Sequence, residues 1–227
     1  MSLSILYEDN HLIAINKPAG LLVQGDKTGD KTLLDEVKSY IKIKYNKPGD
    51  VYLGLIHRID RPVSGIVVLA KTSKALTRMN ELFKTRDVQK TYWAIVEQRP
   101  QKTEDTITQW LKKNEKQNKS YASNTESKGG LKSTLSYTLK QTGDRYHLLE
   151  VNPATGRHHQ IRVQLAGMGS IIKGDLKYGA KRSNEDGSIC LHARKLTFVH
   201  PIQQIAISIT APVPADPLWQ FFEKNNG

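Results

Sequence analysis

The feature that most constrains this chain is Ile66-Val67-Val68-Leu69-Ala70, an unbroken apolar run directly after Gly65. A run of strand length with no polar alternation reads as a buried strand. A buried strand must have other layers packed around it, so the remaining elements have to supply them.

The rest of the chain meets that demand mostly with further strands. Leu3–Asn16 alternates apolar and polar residues around Glu8-Asp9-Asn10 and reads as a short hairpin, broken by Lys17-Pro18-Ala19-Gly20. Leu33, Leu34, Val37, Tyr40 and Ile41 recur at helical spacing, with Thr32 as N-cap and Asp35 three residues on. A second helix follows the apolar run, with Ser73 as its candidate N-cap and Leu76, Met79, Leu82 and Phe83 on its apolar face. Strands are expected at Thr91–Glu97, Ser133–Gln141, Tyr146–Asn152, Ile189–Val199 and Gln204–Thr210. His159–Leu165 reads as a helix start after Thr155-Gly156, and Asp216 caps a last helix that carries Leu218, Trp219 and Phe222. Lys112–Lys132 is polar and lysine-rich and reads as an exposed basic insertion. Strands outnumber helices and usually follow one another, which predicts an α+β domain with a mixed, mainly antiparallel sheet. The length of 227 residues suits one or two domains.

Charge narrows the partners. Lys and Arg number 34 against 22 acidic residues, a formal net charge of +12. That balance fits a polyanion such as nucleic acid, and equally a merely soluble basic protein. The single cysteine, Cys190, excludes an internal disulfide and fits a reducing compartment. No apolar run approaches the ~20 residues of a membrane span, and Met1–Asp9 shows no signal-peptide pattern. The expectation is a cytoplasmic, monomeric protein.

Two segments carry chemistry. In His57-Arg58-Ile59-Asp60-Arg61-Pro62-Val63-Ser64-Gly65, a carboxylate lies between two arginines just before the buried strand. Positive neighbours favour its ionised form, which suits a nucleophile or general base. A structural ion pair at a strand start would use the same residues. The second segment is Thr155-Gly156-Arg157-His158-His159-Gln160-Ile161-Arg162-Val163. Its adjacent histidines invite a metal reading, but neighbouring residues point in different directions and no zinc-type spacing accompanies them. No metal is expected.

Together these segments resemble the RluA-type family of RNA pseudouridine synthases. The resemblance opens with Asn16-Lys17-Pro18-Ala19-Gly20 and runs through His57-Arg58-Ile59-Asp60 with Ser64-Gly65. It continues with Lys90-Thr91-Tyr92-Trp93-Ala94, Thr155-Gly156-Arg157 and His159-Gln160-Ile161-Arg162-Val163. Gly174-Asp175 with Tyr178-Gly179, then Leu191-His192-Ala193 with Phe198 and His200-Pro201, complete it in the family's order. His158 stands where the family usually has Thr or Ser, and Gln164 where it usually has His. The resemblance begins almost at Met1, so no separate N-terminal RNA-binding domain is expected.

What the resemblance implies is an isomerase that detaches uracil from its ribose, turns it and reattaches it through carbon 5, with no cofactor. Asp60 becomes the catalytic carboxylate, attacking the anomeric carbon or removing a proton from the 2′ carbon. Arg162 matches the basic residue that pairs with it. Tyr92 matches an active-site tyrosine that stacks on the base and assists proton removal from carbon 5; a strand core residue is the plainer alternative. Arg58 matches an arginine that helps extrude the target nucleotide. His57 is either an RNA contact or a satisfied structural histidine. Gly65, Gly156 and Gly174 read as backbone requirements. The implied partner is structured RNA, a ribosomal or transfer RNA stem-loop. A non-catalytic RNA-binding protein or chaperone is the rival reading.

Overall fold

The apolar run at 66–70 is the centre of strand β4 (Ser64–Ala70), in which every residue is buried. A computed structural model describes residues 3–224. The chain is α+β, with eleven strands and four α-helices among the described residues. It divides into two compact units, Met1–Gln89 with Ala193–Pro212, and Lys90–His192 with Val213–Gly227.

The first unit is built on β4. The hairpin β1 (Ile5–Glu8) and β2 (Leu12–Lys17) forms where the alternation placed it, and β2 pairs antiparallel with β4, Leu12 opposite Ala70 and Lys17 opposite Gly65. A two-residue strand β3 (Gly54–Leu55) also pairs with β4. Within this unit the strand order is β1-β2-β4-β10, with β11 (Ala206–Thr210) antiparallel to β10 (Leu191–Val199). Leu12, Ala14, Ile66, Val68, Met79, Leu196, Phe198 and Ile209 share one buried cluster. Successive strand residues point to opposite faces, so the even-numbered residues of β2 and β4 line this one.

Both helices of the unit start at side-chain caps. Helix α1 (Leu33–Lys44) has the full capping box, with Thr32 Oγ1 accepting from the Asp35 N–H and the Asp35 carboxylate accepting from the Thr32 N–H. Helix α2 (Ser73–Thr85) is capped by Thr72, which accepts from the Ala75 N–H, so the cap lies one residue before the expected Ser73. Its buried Ala75 and Met79 sit one turn apart and face the cluster.

The second unit has the strand order β5-β9-β8-β6-β7. Strands β5 (Gln89–Val96), β9 (His147–Pro153) and β8 (Leu131–Thr142) fall close to their predicted positions. The segment read as an exposed basic insertion is largely exposed, and about half of it is strand. β6 (Glu104–Asn114) and β7 (Lys119–Ser123) form an antiparallel ribbon, and β8 has begun by Leu131. Lys112, Lys113 and Lys116 are exposed, while Leu111 and Ser120 are buried. A ribbon that buries so few side chains leaves almost no apolar alternation to read. Helix α3 (Gln160–Gly167) follows β9, a 3-10 turn spans Leu176–Tyr178, and Asp216 caps α4 (Pro217–Lys224) through the Leu218 and Trp219 N–H groups. No helix among the described residues is long and apolar enough to cross a membrane.

Candidate active site

Asp60 lies in a connection without regular structure that ends at β4. Buried Ile59 and Val63 anchor it, and the Val63 N–H donates to the Asp60 carbonyl at 3.1 Å, closing a turn. Anchoring the apolar residues leaves Arg58 exposed and Asp60 half-buried. Gly65 then enters β4 at φ +112°, where a Cβ would collide with the Ala193 backbone, so only glycine fits.

Lys17 joins this turn to the Lys17–Gly20 break. Its side chain is fully buried at the end of β2. Its Nζ donates to the carbonyls of Pro18 and Leu21 at 2.8 Å and of Arg61 at 3.3 Å. Gly20 and Arg61 complete the join: the Gly20 N–H donates to the Arg61 carbonyl at 2.8 Å, and Arg61 Nε to the Gly20 carbonyl at 2.9 Å. Two sequence words separated by forty residues of chain are therefore one hydrogen-bonded platform. Burial pushes the Lys17 ammonium down to about 7, against the opposing pull of the Asp60 carboxylate and with a smaller push from Arg61.

His57 turns inward. Its Nε2 accepts the Val68 N–H at 3.0 Å, and its ring stacks on Phe83 with centroids 4.9 Å apart. A ring nitrogen that accepts a backbone N–H inside the unit supports the structural reading of His57.

In the second unit Tyr92 is half-buried on β5, opposite Val151 of β9. The turn before α3 is held by Gln160. Its Oε1 accepts from Thr155 Oγ1 at 2.7 Å and from the Arg157 N–H at 3.0 Å, and its Nε2 donates to the Thr134 carbonyl at 3.1 Å. Arg162 on α3 is 5% exposed and forms a bidentate ion pair with Asp175, which is 1% exposed: Nε to Oδ2 is 2.7 Å and Nη2 to Oδ1 is 2.8 Å. Nothing in the residue pattern had pointed to Asp175 as a partner of Arg162; the one available signal was an acidic residue inside the Gly174-Asp175 word.

The Arg162 guanidinium carbon also sits 5.2 Å from the centre of the Tyr178 ring. The Tyr178 hydroxyl lies 2.9 Å from His159 Nδ1 and accepts the Ser120 N–H of β7 at 2.9 Å. His158 and His159 stack at 3.8 Å, and His158 Nδ1 and Nε2 meet Ser120 Oγ and Asn118 Oδ1 at 2.9 and 3.1 Å. The paired histidines thus tie the β6–β7 ribbon to the start of α3. His158 reaches hydrogen-bond partners on the ribbon that a shorter Ser or Thr would not. Gln164 is fully buried, and its Nε2 donates at 3.4 Å to the Ile107 and Ser133 carbonyls. Among the described residues no group of three or more His, Cys, Asp or Glu side chains is arranged to hold a metal ion.

The sequence profile of the family described as RNA pseudouridylate synthase matches residues 11–167, a stretch that takes in residues of both units. An uncharacterized RNA pseudouridine synthase of Synechocystis is 33% identical over 217 residues, covering 94% of this chain and 66% of the relative. Ribosomal large subunit pseudouridine synthase C of Rickettsia prowazekii is 34% identical over 211 residues, covering 92% of this chain and 68% of the relative. The chain therefore spans about two thirds of the length of these relatives. Among solved structures, human RNA pseudouridylate synthase domain containing 4 superposes with a TM-score of 0.79 at 25% identity, covering 98% of this chain and 92% of that one.

Proposed function

The chain belongs to the RNA pseudouridylate synthase family, and we propose that it isomerises specific uridines of structured RNA, ribosomal RNA first, to pseudouridine through Asp60. The observation that carries this reading is the Lys17 platform, which presents a half-buried carboxylate on a turn whose main-chain carbonyls are held by Lys17, Arg61 and the Gly20 N–H. Such a turn holds a reactive group without needing a ligand to order it.

The reaction breaks the C–N glycosidic bond and forms a C–C bond in its place, with no change in oxidation state and no cofactor. A carboxylate near the sugar is what glycosidic cleavage requires. Asp60 acts either by attacking the anomeric carbon or by removing a 2′ proton; both routes return it to its starting state. By its match to the family's basic residue, Arg162 is the group we assign to pair with the carboxylate and orient it. Tyr92 stacks on the uracil, and its hydroxyl assists loss of the carbon 5 proton once the new bond is made. Arg58, exposed beside the turn, fills the space left by the extruded nucleotide; extrusion costs a few kcal/mol. His57 positions the turn and is not assigned an RNA contact.

We place the enzyme in the cytoplasm as a monomeric, single catalytic domain. A short stem-loop with the target uridine in its loop is a sufficient substrate, since unstacked bases cost least to flip. Pseudouridine mapping across total RNA, with and without the gene, tests the reading. A site lost on deletion, and restored by the wild-type chain but not by Asp60→Asn, supports it. Restoration by Asp60→Asn removes Asp60 from the chemistry. An RNA that is bound and never isomerised supports a binding protein instead.

A further inference from the structure

We propose that Asp175 is a positioning residue for the isomerisation, fixing the plane and direction of the Arg162 guanidinium. The proposal rests on the role given to Arg162 above. Of the five N–H donors of a guanidinium, Asp175 takes one from Nε and one from Nη2, at 2.7 and 2.8 Å. This fork fixes the plane of the group, which a single hydrogen bond would leave free to rotate. With the plane fixed, the directions of the group's other N–H donors are set as well.

Asp175 is itself held from several sides. Its carbonyl accepts the Tyr178 and Ala180 N–H groups at 3.0 and 3.1 Å, and its own N–H donates to the Ile172 carbonyl at 3.0 Å. The preceding Gly174 has φ +86°, and a Cβ there would lie 2.8 Å from the Ser188 carbonyl oxygen. Backbone of that shape requires glycine. The Tyr178 ring, 5.2 Å from the guanidinium carbon, covers one side of the arginine, and its hydroxyl is bonded to β7. A carboxylate that is 1% exposed, and locked in this way, forms a rigid seat for the cation. The Gly174-Asp175 and Tyr178-Gly179 words, which have no part in the chemistry itself, acquire a purpose: they build the seat.

A purely structural tether between α3 and the 172–180 turn would use the same ion pair, and the test separates the two. Single-turnover isomerisation, affinity for the same ribosomal RNA fragment and thermal melting are measured for wild type, Asp60→Asn, Asp175→Asn, Asp175→Glu, Arg162→Lys and Arg162→Lys/Asp175→Asn. Displacing a catalytic group by about an ångström costs up to about 100-fold, so Asp175→Asn is expected to slow turnover roughly 30-fold with RNA affinity unchanged. In the Arg162→Lys background, where no fork can form, the same change is expected to cost roughly 3-fold or less, because coupled residues are not additive. Equal losses in both backgrounds, or a wild-type rate in Asp175→Asn, overturn the proposal. If Asp175→Asn does not fold, Asp175→Glu decides. It keeps the charge but moves the carboxylate, and is expected to fold, bind RNA and turn over slowly; a wild-type rate there also overturns the proposal. Active wild type with inactive Asp60→Asn and unaffected Asp175 variants removes only the positioning role. Inactive wild type removes the synthase reading and the proposal with it.

Discussion

The Asp60 turn and the Arg162 helix are held in place by different means. The Asp60 turn is fastened through main-chain acceptors: carbonyls of Pro18, Leu21 and Arg61 gathered by the buried Lys17 ammonium, the Gly20 carbonyl held by Arg61 Nε, and a Gly20–Arg61 backbone hydrogen bond. The Arg162 region is fastened by side chains, through a buried ion pair, a tyrosine beneath it and two stacked histidines. A backbone-fastened turn tolerates exchange of the side chain it presents. A side-chain-fastened site loses geometry and stability together when one member is replaced.

The largest effect expected from this contrast is catalytic. Asp60→Asn should lower turnover by roughly a thousandfold or more, while leaving the melting temperature and RNA affinity near wild type. A parallel fall in melting temperature would break the contrast, since the turn would then depend on the carboxylate. Arg162→Ala should do the reverse as well as slowing turnover. It strands the buried Asp175 carboxylate, at about 3–5 kcal/mol of stability, and Arg162→Lys should recover part of this. Denaturant unfolding of the three proteins reads it directly, and a wild-type midpoint for Arg162→Ala would show that the ion pair holds nothing.

Lys17→Met probes the platform itself. Leaving buried carbonyls without their donor should cost about 2 kcal/mol. The pH dependence carries a second signature. Lys17 falls from 10.5 to about 7 on folding because it is buried. Between those values the unfolded chain binds the extra proton, so this group makes stability rise with pH across that window. Lys17→Met should remove that rise, and an unchanged slope in urea unfolding from pH 7 to pH 10 would contradict it.

Glu8 offers a control far in sequence from both segments. Burial alone would raise its carboxyl, but hydrogen bonds from Lys44, Lys71, Tyr45 and Tyr40 hold it down at about 2, below its ordinary 4.5. Its contribution is complete above pH 4.5, declines as pH falls, and is gone below about 2. Glu8→Gln should therefore lose about 2 kcal/mol at neutral pH and flatten acid unfolding in that window, with turnover unaffected. Slower turnover would mean that general loss of stability reaches the site, weakening the contrast. The smallest expected effect lies on the β6–β7 ribbon. Reversing exposed Lys112 and Lys116 should reduce the salt slope of RNA binding by about 1 for each phosphate no longer neutralised, with the single-turnover rate at saturating RNA unchanged.

Much of the architecture was legible because it rests on local rules. The capping box at Thr32 and Asp35, the Asp216 cap and the apolar run at 66–70 each act through neighbours in sequence, and each formed as expected. Thr72 displaced Ser73 as a cap because adjacent hydroxyl residues compete for one position. The β6–β7 ribbon was missed because alternation disappears when few side chains are buried. His57 was ambiguous because an imidazole next to an arginine reads the same whether it faces a strand or solvent.

By itself the sequence determined the capping box at Thr32, the Asp216 cap, the buried central strand and the words whose resemblance to the family points to Asp60, Tyr92 and Arg162, since all of these are read from residues close together in the chain. Tertiary structure alone decided that Lys17 gathers the carbonyls around the Asp60 turn and that Asp175 seats Arg162. Those pairings depend on directions in space, and the strands and turns that set the directions are themselves fixed only when distant segments pack. A buried charge finds its partner where the fold leaves one within reach, and separation along the chain says little about where that will be.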